Sequence, residues 1–216
     1  MKQYLSILKQ MPLFASSDED AIVNIIQCLD GHTKKFDKNQ IIYDYFDKIN
    51  FAGILLDGEI RVLMQNSCGN EYSVRKIIKG SLFGEAYACV SSECSAIQVV
   101  AQKESTILFL KFSNLFLPRA VCCPHASRVT ANLLQETAKN NIFQNQKLRI
   151  LTQKHIRDKI IVYLYSLNSS KNTITLAFNR QELANYLGVE RSALSRELCR
   201  KNEGLIDFHK NNLTIL

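Results

Sequence analysis

Between Asn179 and Leu198 the chain reads Asn-Arg-Gln-Glu-Leu-Ala-Asn-Tyr-Leu-Gly-Val-Glu-Arg-Ser-Ala-Leu-Ser-Arg-Glu-Leu. Arg191, Ser192, Ser195 and Arg196 recur at helical spacing, so a helix through them presents two guanidiniums and two hydroxyls together. A guanidinium can grip guanine O6 and N7 with two parallel hydrogen bonds, and hydroxyls reach base edges or phosphates. That set suits the major groove of duplex DNA. Arg180 and Lys210 add cations suited to phosphate contacts. A plain helical hairpin carrying a surface arginine pair is the other reading of the string. A second group of reactive atoms is Cys122-Cys123-Pro124-His125. It offers ligands for haem or a metal, or a redox thiol at a helix start. Read structurally, it is Cys123 ahead of a helix with Pro124 in the first position. Only three ligand-type residues cluster there, whereas a closed structural zinc site takes four. No metal site is expected.

Positioning the DNA-reading group requires two short helices and a sharp link. Asn179 can cap the first, whose inner face is Leu183, Ala184 and Leu187. Gly188 permits a positive-φ turn, and the small Ala184 lets a second helix cross closely. That second helix buries Ala193 or Leu194, and Leu198. Two strands around Lys210-Asn211-Asn212 then form a β wing. Upstream, residues 125 to 152 contain neither Gly nor Pro and predict one long helix. Leu134, Ala138, Asn141, Asn145 and Leu148 are spaced four, three, four and three apart, the pattern of a coiled-coil seam with two polar members. Alternatively these residues face the preceding domain. A further helix near Ile156–Leu167 ends in the polar turn 168–172.

Six of the eight glycines lie between Gly31 and Gly84. In that stretch Glu59–Met64 and Glu71–Val74 alternate with the period of strands. Asp57-Gly58 and Gly69-Asn70 read as tight turns joining neighbouring strands. Thr106–Phe112 closes the β unit, and Ser17 is a candidate cap for an amphipathic helix through Ile22, Ile25, Ile26 and Leu29.

The net charge of +7 is unevenly placed: residues 1–125 carry 13 basic and 13 acidic side chains, residues 126–216 carry 14 and 7. A polyanion is therefore expected to meet only the C-terminal part. No apolar run is long enough for a membrane span and no signal peptide is evident, so a cytoplasmic location is expected, with no membrane partner. Seven irregularly spaced cysteines fit reduced thiols. With no phosphate loop, nucleophile elbow or Ser-His-Asp set, no catalytic residues are expected.

The Arg180-Gln181-Glu182-Leu183-Ala184, Leu187-Gly188-Val189 and Arg191–Leu198 string resembles the CRP/FNR family of transcription regulators. The likeness extends to Asp57-Gly58-Glu59 and Gly80-Ser81-Leu82-Phe83-Gly84-Glu85, which resemble that family's cyclic-nucleotide-binding-like β-roll. The resemblance implies an α+β fold: a β-roll (double-stranded β-helix) sensor domain over 1–124, a dimerisation helix over 125–151 and a winged helix-turn-helix over 152–216. It implies a homodimer on partly palindromic DNA, RNA polymerase as a further partner, and a small-molecule effector. The cofactor stays unknown. Arg196 falls at the family's recognition arginine, and Ser192 replaces a glutamate common there. By the same resemblance the effector pocket is Gly84, Glu85, Cys94 and Ser95. In cyclic-nucleotide-binding members the Gly-Glu pair takes the ribose and an Arg-Ser pair clamps the phosphate. Here Cys94-Ser95 stands in place of Arg-Ser, so cyclic AMP is not expected to bind. The rival function is a haem, redox or cyclic-nucleotide sensor whose output is a protein partner.

Overall fold

The computed structural model describes residues 2–65, 71–90, 95–116, 124–167, 173–175, 179–199, 206–209 and 212–215. The chain divides into two compact units, Met1–Glu136 and Thr137–Leu216.

In the first unit, helices α1 (Leu5–Gln10) and α2 (Glu19–Cys28) precede the strands. Asp18, one residue beyond the expected Ser17, caps α2, its carboxylate accepting from the Ala21 amide at 2.8 Å. Ser17 is instead buried, and its hydroxyl makes no hydrogen bond among the described residues. Eight strands follow: β1 (His32–Phe36), β2 (Ile41–Tyr43), β3 (Ala52–Asp57), β4 (Ile60–Gln65), β5 (Glu71–Ile77), β6 (Leu82–Phe83), β7 (Gln98–Ala101) and β8 (Ser105–Leu110). A short helix α3 (Glu85–Val90) lies between β6 and β7.

These strands form two antiparallel four-stranded sheets, ordered β1-β8-β3-β6 and β2-β7-β4-β5. After β5 the chain crosses from sheet to sheet with each successive strand, which makes a roll. Asp57-Gly58 does not join hydrogen-bonded neighbours, as its turn-forming residues suggested. It carries the chain from β3 in one sheet to β4 in the other. A turn residue supplies the bend but does not choose the partner strand. Gly58, at φ 93°, is required there: a Cβ would lie 2.3 Å from the Ser105 hydroxyl and 2.4 Å from the Glu104 carbonyl. Gly69-Asn70 lies outside the described residues, although the strands it links do pair, Gln65 opposite Glu71.

Two apolar layers hold this unit. Inside the roll, Leu55, Ile60, Phe83, Val99, Ile107 and Phe109 pack together. On the outer face of the first sheet, Ile54, Leu56, Leu108 and Leu110 meet Leu8, Phe14, Ile22 and Ile25. Strand β3 is therefore buried on both faces, which is why Gly53-Ile54-Leu55-Leu56 shows no alternation.

The long helix α4 spans Ala126–Leu151, two residues later than a start at Pro124, which sits in the preceding turn. Ala126, Val129 and Leu133 enter the first unit's core. In the second unit, α5 (Ile156–Ser166), α6 (Arg180–Leu187) and α7 (Arg191–Cys199) close around Ile150, Ile160, Leu164, Leu183, Leu187 and Leu194. Strands β9 (Thr173–Thr175), β10 (Ile206–His209) and β11 (Asn212–Ile215) form an antiparallel sheet in the order β10-β11-β9. The sequence signals the last two strands only; β9 follows the polar cluster 168–172, which lies outside the described residues.

Candidate nucleic-acid interface

Helix α6 begins at a reciprocal cap. The Asn179 side chain accepts from the Glu182 amide at 2.9 Å, and the Glu182 carboxylate accepts from the Asn179 amide at 2.9 Å. It ends at Gly188, which is left-handed at φ 62° and ψ 47°. The link to α7 is consequently a single tight turn, sealed by the Val189 amide donating to the Ala184 carbonyl at 3.0 Å. Lys159 of α5 donates to the Leu187 carbonyl at 3.3 Å, satisfying one of the acceptors that a helix end leaves open. No spacing in the sequence announces that contact.

On α7, Leu194 is the residue driven fully into the core, with Ala193 and Leu198 half-buried. Arg191, Ser192 and Arg196 are exposed and Ser195 is half-buried beside them. Among the described residues no ion pair engages Arg191 or Arg196, so both guanidiniums are open to an outside acceptor. Arg180 opens α6 and is half-buried. Lys210 lies outside the described residues, between β10 and β11.

A cyclic nucleotide-binding domain model matches residues 33–116, and a Crp-like helix-turn-helix domain model matches residues 158–216. This chain belongs to the CRP/FNR family. It is a CRP-like transcription regulator with an effector-binding domain ahead of a DNA-binding helix-turn-helix, in a family of regulators rather than enzymes. Solved structures share the fold. The catabolite activator protein of Thermus thermophilus is 17% identical, with 95% of this chain and 93% of that one covered at a TM-score of 0.53. CprK complexed with OCPA is 18% identical, with 90% of this chain and 90% of that one covered at a TM-score of 0.61. DNR from Pseudomonas aeruginosa is 17% identical, with 100% and 95% covered at a TM-score of 0.51. No curated protein sequence matches this regulator.

In the regulator's sensor domain, Gly84 adopts φ 72° immediately before Glu85 opens α3. The nearest side chains to the space above Gly84 are Ile49 at 3.5 Å and Tyr43 at 3.7 Å. Tyr43 donates to the Phe51 carbonyl at 2.6 Å, and burial pushes its phenol well above the ordinary tyrosine range. Ser95 is buried and fully engaged. Its hydroxyl donates to the Ile97 carbonyl at 2.9 Å and accepts from the Ile97 amide at 3.1 Å. Its carbonyl accepts from Phe46 at 2.9 Å and its amide donates to Asp47 at 3.1 Å. Beside this segment the Asp44 carboxylate takes the Gln98 amide at 2.7 Å, and that bond, with one from the Tyr45 amide, holds its pKa below the usual range. Cys94 lies outside the described residues. The contact of Asp44 with Gln98 carried no motif in the sequence, because β2 and β7 bring together residues some fifty positions apart.

Of the thiols, Cys89 on α3 is half-buried; burial first, and then the Glu85 carboxylate, push its pKa up, the opposite of an activated thiolate. Cys122 and Cys123 lie outside the described residues, and His125 is half-buried in the turn before α4. Among the described residues no three His, Cys, Asp or Glu side chains gather as for a metal ion, and no helix is long and apolar enough to cross a membrane.

On α4, Leu134, Ala138, Asn141, Asn145 and Leu148 are all exposed, with Leu134 at 68% and Leu148 at 59%. Ala126, Val129 and Leu133, on the part of the helix within the first unit, are buried in that unit's core. The Asn145 amide donates to Asn141 at 2.7 Å along that exposed stripe.

Proposed function

We propose that the protein is a homodimeric, sequence-specific DNA-binding regulator that acts in the cytoplasm and is switched by an effector other than cyclic AMP. The observation that carries this is the outward face of α7. Arg191, Ser192 and Arg196, with Ser195, have no ion pair among the described residues and lie on a helix whose base is fixed by a capped α6 and a left-handed Gly188. Arg196 and the serines read base edges, while Arg180, Arg191 and Lys210 hold the backbone. The stripe Leu134, Ala138, Asn141, Asn145 and Leu148 joins two copies. The pair sets two α7 helices in successive major grooves of a partly palindromic site, about one helical turn apart, and RNA polymerase is the further partner.

The effector surroundings favour a ligand without a phosphate. Every polar group of Ser95 is already bonded within the protein, its amide to the backbone carbonyl of Asp47. A phosphate there would lack the guanidinium clamp and find the Ser95 donors already used. Glu85, Gly84 and Cys94 remain the pocket residues for a less anionic molecule.

Binding to selected duplexes across a salt series is the decisive test. Affinity should fall steeply and linearly in log units as salt rises, since displaced phosphate counterions are released. A protein that binds no duplex at any salt refutes the proposal and leaves a sensor with a protein output. Titration calorimetry with cyclic AMP and cyclic GMP should show no binding, and micromolar affinity for either would refute the effector assignment.

A further inference from the structure

We infer that Tyr186 is the residue through which the long helix fixes the half-site spacing the regulator accepts; this rests on the dimeric reading above. The residues of α4 from Ala138 onward point two ways. At 100° per residue, Asn141, Asn145 and Leu148 lie on one side, and Phe143, Lys147 and Ile150 lie roughly opposite. The first side is exposed, whereas Ile150 is in the core shared with α5, α6 and α7.

Tyr186 of α6 meets that second side. Its ring lies 6.5 Å from Phe143 of α4 and 5.4 Å from Tyr163 of α5, both tilted, and the Lys147 ammonium stands 5.7 Å from its centroid. One aromatic ring thus joins three helices. The neighbouring turn is held from the same side, because Leu151 comes within 3.0 Å of where a Gly188 side chain would begin. Helix α6 is capped at its start, tied by Lys159 at its end, and separated from α7 by one turn. Its tilt against α4 therefore sets where α7 sits relative to the exposed seam.

The inner face of the helix-turn-helix is completed by Leu183, Ala184, Leu187 and Leu194, all more buried than Tyr186. Removing the Tyr186 ring should then loosen α6 against α4 while leaving α7 able to read bases. Spacing between half-sites is the property that depends on the first and not the second.

The test compares full-length wild type with Tyr186→Phe, Tyr186→Ala and Lys147→Met. Each binds duplexes carrying the same two half-sites at spacings changed one base pair at a time, and a duplex with one half-site. Every added base pair turns one half-site by about a tenth of a turn relative to the other. Wild type and Tyr186→Phe should favour one spacing by about tenfold or more over its neighbours. Tyr186→Ala should flatten that preference while changing single-half-site affinity by less than about threefold, and Lys147→Met should flatten it in part. Retention of the wild-type preference by Tyr186→Ala overturns the inference. So does a loss of single-half-site affinity matching the loss on the full site, the mark of a purely structural role. A wild type indifferent to spacing overturns the dimeric reading itself, and this inference with it.

Discussion

Replacing Gly188 by alanine should destabilise the C-terminal unit by an amount set by one backbone angle. The residue sits at φ 62° and ψ 47°, where an L side chain crowds the following carbonyl at a cost of roughly 1–2 kcal/mol. The new methyl would also lie 3.0 Å from Leu151 Cδ2, close enough that the leucine must give by a few tenths of an ångström. That end is flexible, so the backbone strain dominates. For a unit covering Thr137–Leu216, each kcal/mol lowers the melting temperature by about 4–8 °C, which puts the loss near 5–15 °C. Gly188→Asn should lose less than Gly188→Ala although it is larger, because asparagine enters the left-handed region more readily. Thermal unfolding followed by circular dichroism measures both. An alanine variant melting with the wild type, or an asparagine variant melting below the alanine one, refutes the assignment of Gly188 as a conformational requirement.

Arg196→Ala should cost roughly 1–3 kcal/mol of discrimination between sites and Ser195→Ala a smaller part, whereas Lys210→Ala should weaken all sequences about equally; site selection from random duplexes separates the two effects. Leu134→Asp combined with Leu148→Asp should give monomers in sedimentation that bind palindromes poorly, and persistence of the dimer would place the interface elsewhere. Because burial raises the Tyr43 pKa, the folded state retains that proton more tightly than the unfolded chain does. Its contribution is complete below about pH 10, the ordinary tyrosine value, and declines as pH rises above it. Tyr43→Phe should flatten the alkaline limb of the stability profile, measured by urea unfolding between neutral pH and pH 11.

The helix-turn-helix was the most legible part of the molecule, because its requirements are local. Asn179 and Gly188 each act within four residues of their own position, and the structure has them as cap and left-handed turn, with Glu182 adding a reciprocal bond that the sequence reading does not include. The extent of α4 was legible for the same reason, a run without glycine or proline being a property of one segment. The roll was less so. Alternation located β4 and β5, but β3 is buried on both faces and lost its period, β1 buries Phe36 alone, and β2 and α3, at three and six residues, are too short for a period to show. The sensor site illustrates the limit: Ser95 carries no hint in its own sequence that Phe46 and Asp47 use its backbone.

The crossing of the chain between two sheets also governs when the first unit can form. Strand β1 pairs with β8, His32 opposite Phe109, and β3 pairs with β8 from Ala52 to Asp57. The central strand of that sheet is the last of the unit to be synthesised. Until it emerges, β3 has only the two-residue β6 beside it and β1 has no partner in the sheet, so the apolar face that the helices cover is incomplete. The second unit's helices meet near neighbours and need no such wait. Non-local pairing of this kind slows folding, so refolding should show a fast helical phase and a slower one that buries the roll. During synthesis, a chain stalled before Ser105 would expose an unfinished apolar sheet to its surroundings, the state in which aggregation and chaperone capture begin.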